Sequence, residues 1–350
     1  MQHLLSRLTY PLIQAPMLGV QNEALTIAAC NAGALGSLPC AMYRPEQLDA
    51  ALTTIRAAVG DAPYNVNFFA HRPPAVNEAQ RKTWLDLLAP HLAKFGLTPA
   101  DIPADPVRQP FDVTALAVVQ KHRPPVVSFH FGLPEAPLLA AVKATGAKIL
   151  SSATSVAEAR WLAEHGADGI IAQGLEAGGH RGWFLNHDPD GQSGLFALLP
   201  NIRRAVSLPL VAAGGISDAA TVRAAMALGA DAVQVGSAFL LADEATTSAA
   251  HRAALQDARG ETTALTNLFS GGCARGIVND LMRKLGAIHP AALPFPLAGA
   301  AAFRLKSAAE SAGNYGYSPF WAGQNAPLAR PGSAAAIIAR LAAGFATKNS

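Results

Sequence analysis

The hydrophobic positions of this chain fall into a unit that repeats. "TGAKILSSAT" (145–154), "HGADGIIAQG" (165–174) and "LGADAVQVGS" (228–237) each place Gly-Ala and a polar residue before an apolar run. Each glycine closes a helical pattern, where a left-handed cap is wanted. Each apolar run lacks in/out alternation and reads as a strand buried on both faces, as in parallel sheets. Between the first two units, Ser155 and Glu158 form a capping box. Ala159, Leu162 and Ala163 make an inward stripe, and Gly166 ends that helix. The next unit repeats the logic: "LPLVAAGGI" is a strand, Ser217 or Asp218 caps, Val222 and Met226 share a face, and Gly229 stops the helix.

Further strands are predicted at 12–17, 33–38, 64–69 and 126–132. With 148–153, 169–174, 210–215 and 232–237 they number eight, most of them separated by helical patterns. Eight such units point to a (β/α)8 TIM barrel over residues 1–239. The alternative is an open doubly wound sheet, but the glycine fingerprint expected after an early strand of that fold is absent. Residues 70–125 are proline-rich, carry one helix-like stretch ("AQRKTWLDLLAPHLAKF") and read as an insertion after the third strand. Residues 240–350 are alanine-rich and are expected to form a C-terminal helical extension packing over the barrel mouth, with "ATKNS" frayed at the end.

Composition narrows the class. Half the residues are hydrophobic and 15% are charged, which fits a large buried core and argues against disorder. The net charge of +3 is not concentrated in any basic cluster, so nucleic acid is not an expected partner. The three cysteines, Cys30, Cys40 and Cys273, give no disulfide framework. The N-terminus has no secretory pattern, and no apolar run reaches membrane-spanning length. A soluble, cytoplasmic protein is expected; the sequence sets no oligomeric state.

In a barrel of this kind the chemistry lies at the C-terminal ends of the strands. Those ends carry Ala15-Pro16-Met17, Asn67, His130, Ser152, Gln173, Gly214-Gly215 and Gln234-Gly236-Ser237. "AAGGISD" (212–218) and "VGSAF" (235–239) are turns opening helices on consecutive units. Their backbone N–H groups suit a phosphate, of substrate or of cofactor, although glycines there also serve tight turns. Asn67, Gln173 and Gln234 can both donate and accept, which suits the mixed edge of a flavin ring. His180, in "GLEAGGHRGWF" (174–184), leaves the sixth strand and is the candidate for proton transfer or substrate polarisation. His130 is a weaker candidate. Glu176 either orients His180 or caps the loop, and Arg181 either binds an anion or faces solvent. No spacing matches a zinc site, a calcium loop or a serine nucleophile elbow, and Cys273 reads as a small buried residue.

These residues together resemble the nitronate monooxygenases, formerly 2-nitropropane dioxygenases, of the bacterial class I type. The motifs that carry the resemblance are "QAPMLGV" (14–20), "NVNFF" (65–69), "VSFHFG" (127–132), "GLEAGGHRG" (174–182), "AAGGI" (212–216), "VQVGSAF" (233–239), "FSGGCARGIVN" (269–279) and "WAGQ" (321–324). The resemblance implies a barrel binding FMN noncovalently. Ala15, Pro16, Met17, Asn67 and Gln173 would contact the isoalloxazine region. Gly178, Gly214, Gly215, Gln234, Gly236 and Ser237 would hold the ribityl chain and phosphate. His180 would stand over the flavin at the substrate side, with His130 a second active-site histidine. Lys306 would take a substrate-side lysine role, and Phe303 stands where the family often has a tyrosine. The implied reaction is oxidation of an alkyl nitronate such as propionate 3-nitronate by O2 to a carbonyl compound and nitrite, with His180, Arg181 and Lys306 giving a positive pocket. The rivals are an NAD(P)H-dependent flavin reductase acting on quinones or enoyl thioesters, a non-catalytic flavin-binding protein, and a phosphate-binding barrel without flavin.

Overall fold

The computed structural model describes residues 1–103 and 108–345. The expected fraying of "ATKNS" falls outside them, as do residues 104–107 of the 70–125 segment. The described residues form eleven strands. In chain order they are β1 (Leu12–Gln14), β2 (Gly36–Pro39), β3 (Tyr64–Phe69), β4 (Val126–His130), β5 (Lys148–Ala153), β6 (Gly169–Gln173), β7 (Gly179–His180), β8 (Leu210–Ala213), β9 (Ala232–Val235), β10 (Thr263–Thr266) and β11 (Ala274–Ile277). Eight of them pair in parallel in the order β1-β9-β8-β6-β5-β4-β3-β2. Ile13 bridges Leu35, the residue that leads into β2, and the Leu35 N–H donates to the Leu12 carbonyl at 2.8 Å. The sheet therefore closes on itself as a TIM-like barrel rather than staying open.

The repeating unit produces this closure. Gly166 and Gly229, each at φ 100°, end their helices in the left-handed conformation that a side chain would strain. The apolar runs are buried on both faces. Ile13, Leu150, Ile171 and Val211 fill the barrel interior, where Leu4, Leu5 and Leu8 of the N-terminal segment plug the lower end. Leu12, Ile170, Leu210 and Val233 point outward into the helical layer. Period-two alternation serves two cores at once, which is why no polar face shows in the sequence.

Three long excursions interrupt the alternation, and all leave from C-terminal ends of strands. After β3 the chain forms helix Glu78–Ala93 before helix Val113–His122, the crossover helix to β4. The 70–125 segment thus carries two helices where the sequence pattern predicted one. After β6 it forms β7 before helix Leu195–Ala205, and after β9 it runs through β10, β11 and helix Gly299–Ser311. These excursions meet each other. β7, β11 and β10 make an antiparallel sheet, with Ala274 opposite His180. Trp84, Leu85, Leu88 and Leu92 share a core with Leu268, Phe269, Leu281 and Leu305.

The C-terminal segment does more than cover the mouth. Its last helix, Ala334–Ala342, returns to the barrel wall, where Ile337, Ile338 and Leu341 join the core formed with Leu25 and Val222. It is the eighth outer helix of the ring, placed after a detour of about a hundred residues. No helix among the described residues is long and apolar enough to cross a membrane. Ile337→Ala should cost about 2–5 kcal/mol of stability in urea unfolding, as for other buried large-to-small changes. A loss below about 0.5 kcal/mol would show that this helix is not part of the barrel core.

Candidate active site

A cavity opens at the C-terminal ends of the barrel strands. Ala15, Pro16, Met17, Asn67, His130, Gln173, Gly178, His180, Gly214, Gly215, Gln234, Gly236 and Ser237 all line it. Two expected cations do not. Lys306 lies on helix Gly299–Ser311, paired with Glu310 at 3.4 Å, and is no part of the lining. Arg181 is 0% exposed, and the fold takes up its donors: Nη1 donates to the Gly174 carbonyl (2.6 Å), Nη2 to the Gln173 carbonyl (2.7 Å) and Nε to Gln192 Oε1 (3.0 Å). Burial pulls its pKa down to about 10, so the guanidinium is still charged at neutral pH.

Those bonds begin a network that fixes the loop after β6. Gln173 Nε2 donates to the His180 carbonyl (2.9 Å), and Gln173 Oε1 accepts from the Gly182 N–H (2.7 Å). His130 Nε2 lies 3.1 Å from the same His180 carbonyl. A carbonyl only accepts, so His130 carries its proton on Nε2, and Nδ1 accepts from Ser152 Oγ at 3.0 Å. Burial holds His130 near a pKa of about 4, in keeping with this neutral tautomer. Phe131, at φ 71°, turns the chain sharply so that its ring stays 4.6 Å from the His130 ring.

Glu158 completes the loop from the other side. Ser155 Oγ accepts from the Glu158 N–H, the expected half of a capping box. The Glu158 carboxylate instead accepts from the Thr154 N–H (2.7 Å) and from the Phe184 and Leu185 N–H groups (2.6 and 3.2 Å). Glu176 accepts from the Leu195 N–H and so caps the next helix.

His180 stands above this network. Its Nε2 is 2.8 Å from Ser270 Oγ, and Nδ1 is free among the described residues. The rings of Phe295 (5.3 Å), Trp321 (5.6 Å), Phe131 (6.1 Å) and Phe69 (6.4 Å) surround it. Its pKa lies well below the ordinary 6.5, mainly through burial, with Arg108, His130 and His71 adding repulsion of a positive charge. Ser270 and Arg108 were not singled out from the sequence. Ser270 sits inside the "FSGGCARG" motif, which could have flagged it; Arg108 follows a proline-rich stretch with no periodicity to read.

The opposite end of the cavity is a backbone cradle. The N–H groups of Gly214, Gly215 and Gly236 have no acceptor among the described residues. Gly178 allows a close approach that a Cβ would block, since one built there would lie 2.6 Å from the Ala322 and Gly323 backbone. The 321–325 segment is tied across the cradle by the Gly323 N–H to Ser237 Oγ (2.9 Å) and by Asn325 Nδ2 to the Gly215 carbonyl (2.6 Å). Between the two ends, Gln234 Oε1 is buried without a partner. Asn67 Nδ2 is taken by Ser128 Oγ at 2.9 Å, which leaves its carbonyl oxygen for the cavity. Gln21 Oε1 accepts from the Met17 N–H (2.9 Å) and from Gln14 Nε2 (2.8 Å), fixing the "APM" turn. Cys273 is buried, and burial pushes its thiol up to about 11, so it stays in the thiol form at neutral pH.

An orphaned acceptor beside spare backbone donors fits a heterocycle bearing a ring N–H at one end and a phosphate at the other. By fold and site this is a TIM-like barrel with a cavity at its strand ends, where spare backbone donors lie at one end and a neutral histidine at the other. Residues 2–344 match the family model "Nitronate monooxygenase", and the chain belongs to that family of flavin-dependent oxidoreductases. It is 42% identical over 335 residues to a nitronate monooxygenase of Paraburkholderia phytofirmans, covering 95% of this chain and 91% of that one. It is 42% identical over 339 residues to a nitronate monooxygenase of Pseudomonas aeruginosa, covering 95% of each. The structure superposes on a nitroalkane oxidase from Streptomyces ansochromogenes with a TM-score of 0.88 and 34% identity, over 97% of this chain and 96% of that one.

The site's histidines make stability depend on pH. His71, His130 and His251 are lowered by burial to about 4, and His180 lies well below 6.5. The unfolded chain therefore binds protons below pH 6.5 that the folded chain refuses until about pH 4. Stability should be level above about pH 7 and fall by several kcal/mol in sum as pH drops from 6.5 towards 4. Urea titrations across that window check this; a flat profile would mean that these rings ionise while folded.

Proposed function

We propose that the cavity holds FMN and that the protein oxidises an alkyl nitronate, such as propionate 3-nitronate, with O2 to a carbonyl compound and nitrite. Membership of the family supports the activity. The observation that carries the site assignment is one cavity with the neutral His180 ring, its Nδ1 free, at one end and a cradle of unpaired N–H groups at the other. A single phosphate suits that cradle because the 321–325 segment is bonded across it at Ser237 and Gly215. Ala15, Pro16 and Met17 pack against the ring system with Gln173 beside it, Asn67 and Gln234 meet its polar edge, and Gly178, Gly214, Gly215, Gly236 and Ser237 hold the phosphate end.

When bound, the flavin supplies the electron transfer between substrate and oxygen. The protein's residues bind and orient. We assign the Ser270 hydroxyl proton to His180 Nε2, at 2.8 Å, in preference to the Gly272 carbonyl at 3.2 Å, which places the imidazole proton on Nδ1. Nδ1–H then donates to a substrate oxygen. A ring with so low a pKa is a weak base, which favours a substrate that arrives already ionised over one whose carbon proton must be removed. His130 and Gln173 act through the His180 carbonyl, fixing the ring's backbone rather than touching the reacting atoms. Three unpaired, buried cysteines are compatible with work in the cytoplasm.

The purified protein should be yellow, release FMN on denaturation, and produce nitrite from propionate 3-nitronate under air with little NADH consumption. His180→Asn should keep the flavin and lose about 10²–10³-fold in kcat/KM, the usual cost of removing a donor aimed at a developing charge. Equal nitrite from both proteins would remove His180 from the mechanism.

A further inference from the structure

Among the described residues lining the cavity, Arg108 is the one side chain with a permanent positive charge, and it does not come from the barrel. It belongs to the excursion between β3 and helix Val113–His122. Its guanidinium carbon sits 5.9 Å over the Phe295 ring, the same ring that the His180 imidazole meets at 5.3 Å. The guanidinium makes no hydrogen bond or ion pair with any described residue, and its Nε is buried without a partner. One Nη lies against Gly299 at the start of helix Gly299–Ser311, where the positive end of the helix dipole gives it no compensation. A half-buried cation whose Nε is sealed from water without an acceptor is costly to keep. Its position beside His180 makes a ligand the missing acceptor.

We propose that Arg108 selects the ionised form of the substrate by taking the two oxygens of the nitronate group in its guanidinium fork, on the Phe295 side of His180. This rests on the nitronate reading above. A nitronate group is planar and spreads one negative charge over two oxygens, as a carboxylate does, so it matches the fork in shape and charge. The parent nitroalkane has a similar outline but no net charge, so Arg108 discriminates by charge and not by size. The specificity device is thus carried by an excursion, while the barrel carries the cradle.

The test compares the flavin-loaded wild type with Arg108→Gln, Arg108→Met and Arg108→Lys on ethyl nitronate, propionate 3-nitronate and neutral nitroethane. Arg108→Met keeps an apolar stem over Phe295, and bound flavin absorbance reports that each variant is folded. Arg108→Gln and Arg108→Met should raise KM for both nitronates about 30-fold or more, with kcat moved less and KM for nitroethane moved by a much smaller factor. Arg108→Lys should recover part of the loss. Inorganic nitrate, a planar oxyanion, should perturb the visible spectrum of the wild type and not that of Arg108→Gln. Wild-type KM values in the variants would overturn the proposal. So would a loss confined to propionate 3-nitronate, because the arginine would then serve the remote carboxylate. If the wild type released no nitrite from any nitronate, the functional reading would fail, while the nitrate titration would still report on Arg108 alone.

Discussion

A guanidinium buried without a carboxylate partner holds the site together. Arg181 is 0% exposed and donates to the carbonyls of Gln173 and Gly174, where β6 ends, and to the side chain of Gln192. Three good acceptors offset the desolvation of the charge. In return, the loop that leaves β6 must fold back over its own origin. Gln173 closes the ring by bonding the His180 carbonyl and the Gly182 N–H, and His130 adds a second donor to that carbonyl. The flexible-looking glycines of "GLEAGGHRGWF" therefore belong to a rigid structure. They let the backbone pass close to neighbouring strands, and charge and amide pairing then lock it.

The excursions explain how a regular barrel carries an irregular site. All three leave from the same face, and none can bury its apolar side alone. Trp84 and Leu88 from the first need Phe269 and Leu305 from the third, and the short β7 of the second needs β11. Their union places Ser270, Phe295 and Trp321 around His180. The histidine's environment is thus assembled from parts of the chain up to about 140 residues away, and its low pKa is a property of that assembly.

This division also decides what the sequence could reveal. The eight barrel strands were legible because their signals are local: a glycine cap, a polar residue and a run buried on both faces. The glycine turns and strand-end amides were legible because the barrel rule converts strand position into location. Helix Val113–His122 was missed inside a proline-rich stretch, and helix Ala334–Ala342 was read as part of a cover although it completes the wall. Both errors concern which partner a helix finds, and that is a long-range fact. The cations show the same limit. Arg181 and Lys306 looked suited to an anion, yet one is consumed by backbone carbonyls and the other pairs with Glu310. Arg108 has no local signal, because its meaning depends on Phe295 and His180. Glu158 was visible as a helix cap, while its bonds to Phe184 and Leu185 depend on the loop that folds onto it.

The Arg181 tie positions the loop that carries both His180 and Gly178, the residue at the edge of the cradle. Hydrogen exchange of residues 174–185 in Arg181→Met, measured with the flavin dissociation constant of the same protein, tests it most directly. Faster exchange confined to that loop, unchanged protection of β4 and β5, and flavin binding at least about tenfold weaker are predicted. Wild-type exchange and wild-type flavin affinity would contradict it.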